Sequence, residues 1–310
     1  MIQKGLIFIL LFKSFVFYAQ ADSKKNEKTK SDTLLLDKKI SVFNTLKLIN
    51  AQSVEVLRKR KLEIKFIRRF GNLYNESLNN SAHSFFGLDE RTDFRVSLDY
   101  GITENVTIGI ARSRFKEMWD ATYKWKILNQ NTNNKSPVSL CFYGNMGYSS
   151  ASISNIYSGT IQPKTNEAHR LQYCSQLIIA RKFNNMFSLQ MAPTFVYRNF
   201  IKQQTNIKNG EDDTNGLFSL SFGGRVKLSK KVSLVIDYFY NFSHFQKNNP
   251  VGYYNVLGLG LEIIKNKRAL QINFTNGVAI LESSFVPNTQ QSWTKSQVKI
   301  GFSISKICYL

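Results

Sequence analysis

Three histidines are the first residues to weigh for chemistry: His83, His169 and His244. A zinc site needs several His, Cys or carboxylate ligands close together. No HxxxH, HExxH or CxxC spacing occurs, so the three read as solvated side chains and no metal or cofactor is expected. Ser243 directly precedes His244, and a serine beside a histidine is the residue pair that a lipid hydrolase set in a membrane would need. Successive strand residues point to opposite faces, which makes it a poor nucleophile and base. No glycine-rich phosphate loop is present. Cys141 and Cys174 offer another chemistry. They are nearly equidistant from the middle of the loop between them, 149–166, and two opposed strands would make them neighbours. Export permits a disulfide, although directly opposed strand positions strain that bond and two free thiols are the plainer reading. Cys308 is left over.

A second group of residues carries charge rather than reactivity. Lys65, Arg69, Arg95, Lys124, Lys126, Arg225 and Lys227 fall on the polar face of alternating segments, together with Asp99 and Asp237. Lys61, Lys299, Glu63, Asp93, Asp120 and Glu262 share that face. Lining the inside of a barrel, mixed signs imply either a salt-bridged, filled interior or a pore with a slight preference for anions.

The elements that position these residues are strands. Leu217 to Phe242 reads LFSLSFGGRVKLSKKVSLVIDYFYNF. Phe218, Leu220, Phe222, Val226 and Leu228 share one face, and Ser219, Ser221, Gly223, Arg225 and Lys227 the other. After Ser229-Lys230-Lys231 the alternation restarts. This is period two, and each arm is about ten residues, enough to cross a bilayer as a tilted strand. Twelve such segments run from Lys61 to Lys306. Their connections mostly alternate between short and long, with long stretches at 70–91, 149–166, 199–215, 243–252 and 277–293. An even number of strands with short turns at one end is the arrangement of an outer-membrane barrel. The predicted fold is an all-β, antiparallel transmembrane barrel with long outer loops and periplasmic turns. A soluble, secreted β-sandwich that binds a ligand is the alternative. Closure would remove the exposed edges that so many strands otherwise leave. Aromatic residues such as Phe70, Tyr100, Trp119, Tyr148 and Trp293 sit near strand ends, where girdles are expected.

The chain of 310 residues carries 42 Lys and Arg against 21 Asp and Glu, a formal charge of +21. The excess suits an anionic membrane surface or acidic solutes. The basic residues are spread along the chain, which disfavours nucleic acid. Residues 1–21 have the parts of a secretory signal peptide: Lys4, an apolar stretch broken by Lys13, and Ala19-Gln20-Ala21 as a cleavage site. Residues 22–45 read as a flexible lysine-rich arm, and 46–310 as a single barrel domain. Within it, Leu46 to Leu57 reads as a short strand or a plug. The chain ends Cys308-Tyr309-Leu310, with its aromatic one residue short of the terminal position that the barrel-assembly machinery favours.

Several motifs recur in a fixed order: NAQSVEV (50–56), RRFG (68–71), FFGLDE (85–90), SLDYGIT (97–103), IGIARS (108–113) and YKWKIL (123–128). Together they resemble an uncharacterised family of bacterial outer-membrane β-barrels, a domain of unknown function of the DUF5777 type. The resemblance covers about a quarter of the chain and departs at Asp120-Ala121, where glycine is expected. It implies fold and outer-membrane location, with membrane lipid as surroundings, and carries no substrate or site residue. The expected role is non-enzymatic: a channel for small solutes, anionic ones among them, or a structural and interaction protein.

Overall fold

The computed structural model describes residues 39–74, 77–90, 92–132, 134–152 and 166–309. The expected signal peptide and most of the expected lysine-rich arm lie outside these residues. Twelve strands follow one another: β1 (Lys61–Asn72), β2 (Asp93–Gly101), β3 (Val106–Ser113), β4 (Met118–Leu128), β5 (Ser139–Ser149) and β6 (Leu171–Lys182), then β7 (Phe187–Arg198), β8 (Gly216–Lys227), β9 (Val232–Asn241), β10 (Val256–Lys265), β11 (Arg268–Thr275) and β12 (Lys299–Tyr309). Each pairs antiparallel with its sequence neighbours. β1 closes on β12 through Leu62↔Cys308, Ile64↔Lys306 and Phe66↔Ile304, so the sheet is a closed barrel with no free edge.

Burial alternates along every strand, and its chemistry is inverted. Phe218 is 64% exposed, Ile110 62% and Trp119 55%, whereas Glu63 and Asp237 are 1% exposed and Arg69 2%. Apolar side chains face outward and charged ones face inward. Water outside would make this costly; hydrocarbon outside makes it the stable arrangement. No helix among the described residues is long and apolar enough to cross a membrane; the outward apolar face belongs to the strands.

The short turns, including the ten-residue connection 129–138, share one rim with the start of β1 and the end of β12. The longer connections share the other rim, together with the brief turn Phe115–Glu117 between β3 and β4. Two helices belong to this loop rim: α1 (Leu78–His83), capped by Ser77, whose side chain accepts from the Asn80 amide, and α2 (Glu282–Asn288). They are placed differently. Residues 79, 80, 82 and 83 of α1 are exposed, while α2 buries Glu282 through Pro287.

Candidate functional site in the barrel lumen

The lumen is filled by two chain segments that enter from opposite rims. The first comes from the turn side. Ile40 donates its amide to the Gln130 carbonyl at 2.8 Å, and the chain then runs inward, reverses at 48–51 and returns to β1. The reversal is a tight hairpin: Leu48 N donates to Ala51 O and Ser53 N to Leu46 O. The alternatives for Leu46 to Leu57 thus resolve to a plug. Its reach is longer than the sequence suggests, because Val42, Phe43 and Thr45, assigned there to the flexible arm, are buried with it. The second segment is the β11–β12 connection. Instead of standing clear of the barrel it folds in, burying Ala279, Ile280, Leu281, Phe285 and Val286.

Wall side chains hold both segments. Asp237 of β9 accepts the backbone amides of Ile49 (2.9 Å), Asn50 (2.6 Å) and Ala51 (2.9 Å), with the Asn50 side-chain amide on its other oxygen at 2.8 Å. The wall is hollowed to admit this tip. A Cβ on Gly258 would lie 2.6 Å from Asp237 Oδ1 and 2.7 Å from Asn50 Nδ2. Lys124 donates to the Leu46 carbonyl and to the Ser53 carbonyl, the latter at 3.1 Å. Lys126 pairs with Glu55 at 3.1 Å, while Glu55 also accepts the amides of Val42 and Phe43. Glu262 accepts from Asn44 and Thr45.

The two segments meet at mid-lumen. Lys47 of the hairpin pairs with Glu282 of α2 at 2.6 Å, and Gln52 donates to the same carboxylate at 3.0 Å. Burial holds the Lys47 ammonium below its ordinary range, with Glu282 pulling the other way. Arg69 ties wall to both segments, donating to Asn50 Oδ1 at 2.9 Å and to the carbonyls of Gly277 (3.0 Å) and Ala279. Asp93 fixes the start of the second segment by accepting the Ile280 amide at 2.9 Å.

The remaining charged residues fall into smaller sets. Arg95 forms a bidentate pair with Asp120, with 2.7 Å on one arm. Lys65 lies 3.2 Å from Glu63, and Ser97 donates to Asp99 at 3.0 Å. Arg225 faces the Phe43 ring at 5.8 Å, and its Nε and Nη1 have no hydrogen-bond partner among the described residues. Lys227 is only half-buried, near the turn rim.

The strand register decides between the two readings of the cysteine pair in favour of free thiols. Cys141 lies opposite Ile178, and Cys174 lies opposite Asn145, so the register offsets the two sulfurs by four residues. Four residues of strand span roughly 13 Å, beyond what a disulfide bridges, and all three cysteines are free. Equal distance from the middle of a loop does not set register when the flanking turn is irregular. The Ser243 hydroxyl accepts the Gln246 amide at 3.2 Å, and His244 is exposed at the loop rim. His169 stacks on Phe200 at 5.3 Å, and His83 is exposed at the end of α1. No group of three or more His, Cys, Asp or Glu among the described residues is placed to hold a metal.

The part of the site that sequence reasoning missed is the inward-folded connection. Its signal was present: VAILESSFVP at 278–287 is too apolar for a loop in water.

Solved structures of similar shape include the NanC porin (TM-score 0.46, 6% identity, 80% of this chain and 99% of that one) and the KdgM porin (0.44, 6%, 79% and 98%). The Acinetobacter baumannii outer membrane protein Omp33 is a third (0.40, 8%, 80% and 98%). No curated protein matches the sequence. The family model for a membrane-bound β-barrel domain, DUF5777, matches residues 43–308 and so takes in the luminal hairpin as well as all twelve strands: the chain belongs to that family.

Proposed function

We propose that this protein is a non-enzymatic, gated channel of the outer membrane for small polar solutes, anionic ones preferred, in its closed form. The observation that carries the reading is the way the lumen is filled. A barrel needed only as a scaffold can fill its interior with wall side chains. Here two separate segments do so, and the wall grips the hairpin largely by hydrogen bonds and ion pairs, which water or a charged solute can replace at modest net cost. With the hairpin displaced, Lys124 and Lys126 lose their acceptors and face the aqueous path. Arg225, already short of partners, faces it too. These three cations, against Asp237 and Glu262, which the hairpin also leaves, are the reason to favour anions.

Planar-bilayer recording tests this. The complete mature chain is expected to be mostly non-conducting, with rare openings. A variant lacking residues 40–57, and one with 282–288 replaced by a glycine–serine linker, are each expected to conduct more, and a variant carrying both changes steadily. If the double variant folds and inserts yet remains silent, the protein is a static barrel and the channel reading is wrong.

A further inference from the structure

Along the sequence the Lys and Arg look dispersed, but barrel closure gathers many of them at one rim. The turn rim carries RKRK at 58–61, RK at 181–182, KK at 230–231, KNKR at 265–268, and single residues Lys135, Lys227 and Lys306. Ten of these fourteen cations are exposed, whereas among the described residues of that rim Glu104 is the one exposed carboxylate and Asp99 is half-buried on the lumen side. Glu55, Glu63 and Glu262, near in sequence, point into the lumen and are held there. The loop rim mixes its signs: Asp89, Glu90, Glu117, Glu167 and the EDD run at 211–213 stand among its Lys and Arg.

Two features say what such a rim meets. The first is depth. Lys267 lies 4.0 Å and Lys61 5.0 Å over the Tyr309 ring, and Arg181 lies 5.4 Å over Phe183. Aromatic rings at the ends of spanning strands sit at the headgroup level, so the cations stacked on them sit there too. The second is distribution. The charges precede β1, occupy the β4–β5, β6–β7, β8–β9 and β10–β11 corners, and end β12. A protein partner covers a patch, whereas a lipid leaflet surrounds the whole barrel.

We propose that this rim is a cationic collar that docks the phosphate headgroups of anionic phospholipids in the leaflet on the turn side, setting the depth and orientation of the barrel. Each basic residue near an anionic surface strengthens attraction roughly fivefold. The collar is independent of whether the lumen conducts.

The test is native mass spectrometry of the complete mature protein, released from detergent after equilibration with equimolar dioleoyl phosphatidylglycerol and dioleoyl phosphatidylcholine. Several phosphatidylglycerol molecules are expected per barrel, preferred at least about fivefold over phosphatidylcholine, with the preference falling as salt rises. Lys230→Gln with Lys231→Gln, and Lys265→Gln with Lys267→Gln, sit on different corners. Each pair is expected to lower the preference by a similar factor, and the two together by the product. Equal retention of both lipids by the unaltered protein overturns the proposal, and that comparison needs no variant to fold. Loss of the whole preference at one corner, with none at the other, also overturns it and indicates a localised acidic partner instead.

Discussion

Asp237 is the residue on which the hairpin turns. Three backbone amides and one side-chain amide converge on one buried carboxylate. Four donors aimed at one charged group form an anion nest, and an uncharged amide cannot serve them all. Asp237→Asn keeps the shape but removes one acceptor oxygen and turns a new donor toward the old ones. Leaving buried donors unserved costs roughly 1–3 kcal/mol, or about five- to hundredfold in a local opening equilibrium. The amides of residues 49–51 are therefore expected to exchange with deuterium faster by that factor, while amides in β9 and β10 keep their protection. Uniform acceleration along the wall would show that Asp237 supports the barrel rather than the hairpin. The Gly258 contact points to a companion change. Gly258→Leu would occupy the space of the Asn50 amide, and the same three amides are expected to lose protection. Charge and glycine on the polar faces were legible in the sequence as a lumen lining. What they bind was not, because a side chain's partner across a barrel is fixed by closure and not by spacing.

Among the elements, β5 and β6 show which part of a strand's placement can be read from sequence. Alternation placed Cys141 and Cys174 on the lumen face, where both are buried. Register is a separate property, set by the turn and by packing across the pair. The connection after β5 ends in a short helical turn, Glu167–Arg170, which takes up residues before β6 begins. The expected chemistry follows. Without reductant, the unfolded chain is expected to take three alkyl groups, as read by intact mass. In the folded barrel Cys141 and Cys174 are protected, and Cys308, half-exposed near the end of β12, reacts first. An unfolded chain with a single reactive thiol would refute the observed register. Strands were legible because period two needs only local information. The β11–β12 connection was not, since its length marked it as an outer loop. Its apolar residues belong inside for an ordinary reason: Phe285 meets Phe239 edge-on at 4.9 Å within the buried hydrophobic cluster.

At the scale of the whole molecule, the barrel and its stoppers are held by different forces, and this gives a prediction that separates them. Every strand pairs with two neighbours around the closed ring, so the backbone of the wall is satisfied with no help from the lumen. The outward apolar faces gain their stability from hydrocarbon. The hairpin contributes partners to wall charges such as Asp237, Lys124 and Glu262, and these would be badly exposed in a dry cavity. Deleting residues 40–57 does not leave a dry cavity, because the turn rim then opens to water, which hydrates the same groups. The deletion variant is therefore expected to keep its β-sheet circular dichroism in detergent and its heat-dependent gel migration, with the transition lowered by several degrees. Its wall amides should exchange as slowly as before, apart from those facing the vacated half of the lumen. A chain that fails to form the barrel without 40–57 would mean that the luminal charges are a structural core. The hairpin would then be needed for folding, and a displaced hairpin could not be the open state.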